Sequence, residues 1–185
     1  MIKLQTSRLI LRDYKTEDFE EYFELISDKT VMYYLQDIYL ETRSEAEKSF
    51  NHIMQDMQNE NRRLYFLRME DKNTGEQIGS IGYTVTDFTP VGKLAGLGYF
   101  TFQKFWGKGL VSEALERVME FAFCENGVYR ISTGCLKENK GSERVMQKCG
   151  MIKEAEHVDW EWHDGRMKTR MEYRMLKSDW EKSRI

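Results

Sequence analysis

The stretch Trp106-Gly107-Lys108-Gly109-Leu110-Val111 has the composition of an anion site. It stands where an apolar, strand-like run, Leu94 to Phe102, hands over to VSEALERVMEFAFCEN, whose apolar residues recur at helical spacing. The first turn of a helix carries N–H groups without intrahelical acceptors and the positive end of the helix dipole, so it attracts phosphate. Glycine lets a phosphate approach the main chain with no Cβ in the way, and Lys108 adds a positive charge. The plain alternative is a tight strand-to-helix connection that needs glycine for its own geometry. Two better-known phosphate motifs do not fit. A nucleoside-triphosphate loop needs Gly-Lys followed by Ser or Thr, whereas here Lys108 precedes Gly109 and Leu110 follows. The dinucleotide fingerprint needs Gly or Ala where Ser112 stands and an acid at the end of the next strand, where the chain has Cys135-Leu136.

A second group of reactive types lies near the C-terminus. Asp164-Gly165 between two strand-like runs predicts a hairpin turn. Pairing outward sets His163 opposite Arg166, Trp162 opposite Met167, Glu161 opposite Lys168, Trp160 opposite Thr169, Asp159 opposite Arg170 and Val158 opposite Met171. In that register Val158, Trp160 and Trp162 share an apolar face, and two acids face two bases on the other. His157 and His163 fall on the polar face and His52 on a helix, all read as surface residues. Cys124, Cys135 and Cys149 lack metal-type spacing and read as buried, reduced thiols, so no metal is expected.

The elements that must position these groups alternate along the chain. Strands are expected at Ser7–Tyr14, at RLYFLRME and EQIGSIGYTV joined by the turn DKNTG, at Leu94–Phe102, at VYRISTGCL and in the final hairpin. Helices are expected around Glu17–Ile26, at Thr42–Asn61 with Phe50, Ile53, Met54 and Met57 on one face, from the glycine turn to about Glu125, and from about Lys140 to Lys148. The only proline, Pro90, is placed in a loop. The fold class predicted is α/β, one mixed, strongly twisted sheet of about seven strands flanked by about four helices.

The 185 residues suit one domain, and 41% hydrophobic with 13% aromatic content supplies a core. A net charge of −3 gives no footprint for a nucleic-acid partner. The charged first twenty residues and the absence of long apolar runs argue against secretion and membrane insertion, so a cytoplasmic location is expected.

WGKGLVSEAL after an aromatic strand resembles the acetyl-CoA loop of the GNAT superfamily of N-acetyltransferases, specifically its RimJ/RimL-like branch. Three further segments are similar in the same order: TSRLILRDYKTEDFEEYFEL, EQIGSIGY, and ENKGSERVMQKCGM with its Asn139, Ser142, Arg144, Lys148 and Gly150. The hairpin and the late Trp180 also look like that branch's ending, so the resemblance spans nearly the whole chain and implies one N-acetyltransferase domain over residues 1–185. The family's loop pattern, Gln/Arg-x-x-Gly-x-Gly/Ala, falls on Trp106, Gly109 and Val111. Tryptophan is common there in this branch; Val111 departs from the pattern.

The resemblance implies acetyl-CoA as co-substrate, no metal, and an amine acceptor, either a peptide N-terminus such as a ribosomal protein's or a small molecule, attacking directly in a ternary complex. It implies a strand that splays near Thr101, Phe102 and Gln103, freeing main chain for the pantetheine arm, and a pyrophosphate cradle at Trp106, Gly107, Lys108, Gly109, Leu110 and Val111. Asn139 would help hold the CoA arm, although it is equally a helix N-cap. Many relatives have a tyrosine as proton donor where this chain has Met146; in this branch Ser142 is the replacement, although it can also serve only the helix start. Asp159 and Glu161 lie on a strand that would edge the acceptor groove, although the hairpin register also gives each an ordinary basic partner, Gly96 stands where relatives have an acid, and Val31–Leu40 is either a substrate wall or a cover for the core. Met146, Gly96 and Val111 also motivate an alternative, a catalytically weak or inactive acyl-CoA-binding module or sensor. Monomer and homodimer are both compatible with the branch.

Overall fold

In Leu9-Ile10-Leu11-Arg12 every second side chain is fully buried, which is the period of a strand with one face on a core. The computed structural model describes residues 1–184 and arranges such segments into one eight-stranded sheet. The strands are β1 (Lys3–Gln5), β2 (Leu9–Arg12), β3 (Leu64–Asp71), β4 (Gln77–Thr89), β5 (Gly92–Thr101), β6 (Val128–Leu136), β7 (Ile152–His163) and β8 (Arg166–Leu176), in the order β1-β2-β3-β4-β5-β6-β8-β7. Among the described residues only β5 and β6 run parallel. The helices are α1 (Phe19–Ser27), α2 (Arg43–Asp56), α3 (Leu110–Glu120), α4 (Lys140–Lys148) and α5 (Lys177–Lys182).

Two clusters of buried side chains occupy the two faces of the sheet. Tyr65, Leu67 and Met69 of β3 pack with Ala114, Leu115 and Val118 of α3 in the larger one. The smaller one joins Tyr22, Leu25 and Ile26 of α1 to Phe50 and Ile53 of α2 and to Phe100 of β5. Alternation along β5 therefore sends Leu97 and Tyr99 to the α3/α4 face, and Gly98 and Phe100 to the α1/α2 face.

The architecture is the one expected, with eight strands in place of seven and five helices in place of four. The three-residue β1 and the short terminal α5 are too brief for periodicity to reveal. Helix α2 ends at Asp56, five residues before Asn61, because the Asp56 carboxylate accepts N–H bonds from Arg63 and Leu64 and turns the chain into β3. Pro90 lies in the tight connection of a hairpin, with Thr89 paired to Gly92, and β5 starts two residues early. Cys135 and Cys149 are buried as expected, whereas Cys124 is exposed.

The final hairpin departs more. Its turn and the pairs His163–Arg166, Trp162–Met167 and Glu161–Lys168 are as expected. The register then slips: Val158, Asp159 and Trp160 bulge outward, Asp159 adopts a left-handed φ of 48°, and His157 takes Arg170 as partner. The predicted pairs of Val158, Asp159 and Trp160 are not formed. The faces are also reversed in burial: Trp160 and Trp162 are 62% and 69% exposed, and His163 is 4% exposed. The tryptophan side of the tip is left exposed, so apolar type did not decide which face turns inward.

Candidate active site

Strands β5 and β6 pair only as far as Gly96–Ser132. Beyond that point β5 stays with β4 through Thr101 and β6 stays with β8 through Leu136, so the two part like the arms of a fork. Thr133 Oγ1 donates to Leu97 O at 3.0 Å and plugs the apex. Because main-chain groups alternate between the two sides of a strand, those of Tyr99 face the gap. Phe102 N–H is taken by Ile78 O, and Thr101 O accepts from the indole Nε1 of Trp106 at 2.9 Å. Gln103 opens a 3-10 turn. The main chain thus opens beyond Gly96, upstream of the Thr101–Gln103 segment expected, where Thr101 O and Phe102 N–H already have partners.

At the far end of the β5 arm, Gly107 and Gly109 adopt φ of 72° and 73°, conformations that side chains resist. Their backbone geometry accounts for glycine here on its own, and also leaves the turn bare. Gly109 is the N-cap of α3 and has no side chain to satisfy the first N–H groups of Leu110, Val111 and Ser112. Cations gather at this spot: a Cβ built on Gly109 would lie 3.8 Å from Arg8 Nη2 and 3.8 Å from Lys148 Nζ. Lys108, the cation expected from sequence, instead rests its ammonium over the Phe105 ring. Bare N–H groups, a helix dipole and two converging cations fit the pyrophosphate of acetyl-CoA.

Arg8 is held in place by α3 itself. Glu113, in the first turn, accepts hydrogen bonds from Thr6 Oγ1, Ser7 Oγ, Arg8 N–H and Arg8 Nε, while Arg8 Nη1 donates to Lys108 O. Burial opposes the Glu113 charge, but these donors prevail and draw its pKa down to about 2.

Helix α4 closes the fork on the α3/α4 side. Asn139 is its N-cap, with Oδ1 accepting from Ser142 N–H at 3.1 Å. Ser142 Oγ lies 2.8 Å from the hydroxyl of Tyr99, which reaches across the gap from β5. Burial pushes the Tyr99 phenol well above its ordinary value, with the Ser142 hydrogen bond pulling the other way, so the phenol keeps its proton. Met146 is fully buried in the core. The structure brings Ser142, Asn139 and Thr101 around the fork and Gly107, Gly109, Leu110 and Val111 around the bare turn. Arg8, Lys148 and Tyr99 join them although sequence reasoning gave none of them a role. Arg8 and Lys148 stood in recognised segments, but nothing in the sequence announced their convergence.

On the opposite face of the fork Glu161 pairs with Arg170, which also binds Glu172, while Lys168 pairs with Glu138. Asp159 sits out on the bulge. Val31 and Met32 of the aromatic segment are buried under the helices, and Tyr33 turns outward to hydrogen-bond Asp164 and pack on the His163 ring, so the segment is core cover at one end and wall at the other.

The family model for the acetyltransferase (GNAT) domain matches residues 8–152. The chain is a member of the GNAT acetyltransferases. As a GNAT protein it is 30% identical over 160 residues to YnaD, an uncharacterised N-acetyltransferase of Bacillus subtilis (strain 168), covering 82% of this chain and 83% of that one. Its fold is shared with the spermidine N-acetyltransferase of Vibrio cholerae in complex with CoA and spermine, at TM-score 0.81 and 20% identity, covering 95% and 99% of the two chains. It is shared equally with the ribosomal-protein-S5-alanine acetyltransferase of Vibrio fischeri, at TM-score 0.81 and 17% identity, covering 97% and 99%.

Proposed function

We propose that this GNAT protein is an acetyl-CoA-dependent N-acetyltransferase of RimJ/RimL type that acetylates a primary amine, a protein N-terminal α-amine or a small amine, by direct attack in a ternary complex. The observation that carries this reading is the fork between β5 and β6, whose β5 arm leads into the bare N-terminus of α3 with Arg8 and Lys148 beside it. When bound there, acetyl-CoA supplies an activated acyl group. The N–H groups of Leu110, Val111 and Ser112 with Arg8 and Lys148 hold its phosphates, and Gly107 and Gly109 keep the approach open. Main chain between Leu97 and Thr101 lines the arm and offers N–H groups to a developing oxyanion. Ser142, fixed by Asn139 and Tyr99, is the hydroxyl placed to return a proton to a departing thiolate.

A second reading, a binding module without turnover, draws on one observation: the Ser142 hydroxyl is already engaged by Tyr99. The deciding experiment is thiol release from acetyl-CoA against N-terminal peptides, polyamines, amino acids and aminoglycosides, with calorimetric CoA binding in parallel. Release that depends on one amine class is the expected result. CoA binding with silence across the panel favours the module, and absence of CoA binding overturns both.

A further inference from the structure

The fork is crossed on both of its faces, and the two crossings are held differently. On the α3/α4 side Tyr99 of β5 and Ser142 of α4 meet at 2.8 Å, both inside regular elements. On the α1/α2 side the crossing is made by residues 28–42, the connection from α1 to α2, which has neither helix nor strand. Val31 and Met32 anchor it in the cluster that holds Phe100, near the end of the β5 arm. From there Tyr33 reaches the hairpin tip. Its hydroxyl donates to Asp164 Oδ2 at 3.0 Å, and its ring meets the His163 ring edge to face at 4.8 Å. Tyr34 stacks on the same imidazole at 5.9 Å. The last β8–β6 pair is Arg170–Leu136, whereas the innermost pair of the hairpin is His163–Arg166, so the tip projects past the end of the β6 arm. A strap that starts over β5 and fastens beyond β6 lies across the mouth of the fork.

The two halves of this clasp are unequally secured. Behind the tip, Glu138 Oε1 accepts from both Arg166 and Lys168 and braces the hairpin. The strap has one hydrogen bond to the hairpin among the described residues, and that bond is exposed to water. The closed clasp also carries a cost. His163 is only 4% exposed, and its Nε2 is buried with no hydrogen-bond partner among the described residues. A buried polar atom without a partner is unfavourable, and lifting the tyrosines off the imidazole returns it to water. One exposed bond, an irregular backbone and an unpaired nitrogen leave the closed arrangement poised to open.

From this geometry we propose that Tyr33 gates the acceptor side of the fork. When closed, Tyr33 and Tyr34 clasp His163 and Asp164 and cover the mouth. When open, the strap lifts from the braced tip while Val31 and Met32 keep its root in the core, and the amine enters between strap and hairpin. Acceptor affinity is then scaled by the fraction of molecules that are open. The gate rests on the acetyl-transfer reading above and adds to it the step that admits the second substrate.

The test is steady-state thiol release from acetyl-CoA with two active acceptors of different size, using the full chain and two variants of opposite expected sign. Tyr33→Phe keeps the ring and removes the closing bond, so acceptor kcat/KM should rise about twofold to tenfold, the worth of one hydrogen bond. His163→Phe keeps a ring between the tyrosines and removes the unpaired nitrogen, so acceptor kcat/KM should fall about twofold to tenfold while the melting temperature rises. Because opening precedes binding, each factor should be the same for both acceptors, and calorimetric acetyl-CoA affinity should stay at the parental value. A fall in Tyr33→Phe would make the tyrosine a binding wall and overturn the gate. Parental kinetics in both variants, or factors that differ between the two acceptors, overturn it as well and leave the acetyl-transfer reading standing. Absence of thiol release from the parent with every amine overturns that reading and the gate with it.

Discussion

The Tyr99–Ser142 hydrogen bond decides how the serine is judged. A serine hydroxyl is a weak acid, and one whose oxygen is 2.8 Å from a buried phenol can hand on a proton only as part of a pair. If Ser142 returns the proton to the leaving thiolate, Ser142→Ala should lower kcat about a hundredfold, the low end for positioned acid catalysis, and leave CoA affinity unchanged. Tyr99→Phe should lower kcat as well, and the double variant should be little worse than Ser142→Ala, because residues that act as a unit are not additive. Turnover measured on the four proteins gives the answer: parental kcat in Ser142→Ala removes the role, and full additivity separates the two hydroxyls. Ser142 was visible in the sequence through its segment's resemblance, whereas Tyr99 lies 43 positions away and only folding brings it within reach.

Among the elements, the junction of the β1–β2 turn with α3 matters most for the donor side. Glu113 ties Thr6, Ser7 and Arg8 to the helix whose N-terminus they flank, so one carboxylate both fastens the β1–β2 turn to α3 and aims Arg8 at the glycine turn. Its folded pKa of about 2 lies below the ordinary glutamate value of about 4.3. The stabilisation it gives is therefore fully present above about pH 4.3 and is lost as pH falls through about 2. Glu113→Gln should melt about 2–4 °C lower at pH 7 for each kcal/mol lost, and the gap to the parent should narrow between pH 4 and 2. A gap that is constant with pH would mean that hydrogen bonding, without charge, holds the turn. Helix α3 itself was legible from its period, the run VYRISTGCL coincides with β6, and Asn139 as an N-cap marks the start of α4. The hairpin misled: Asp164-Gly165 specified its turn, but a bulge at Asp159 cannot be inferred from alternation, which assumes an unbroken ladder.

At the scale of the whole molecule the site joins parts that are far apart in the chain: Arg8 from the β1–β2 turn, the fork from the middle, Lys148 from the end of α4, and the hairpin. A ligand that bridges them should stabilise the native state as a unit. CoA at a hundred times its Kd should add about 2.7 kcal/mol, or about 5–10 °C in a chain of this size. Lys148→Ala should shrink that shift at equal CoA concentration without changing the melting temperature of the free protein, since Lys148 has no ion pair among the described residues. A parental shift in the variant would remove Lys148 from the phosphate site, and differential scanning fluorimetry reads both. By itself the sequence determined the alternation of strands and helices, the place of the glycine turn before α3 and the membership of its segments in one family, because periodicity, glycine and capping act over a few residues. Tertiary structure alone decided which cations meet at the turn, which hydroxyl holds Ser142, where the fork opens and which face of the hairpin is buried, because each depends on side chains that meet only when distant strands take their neighbours.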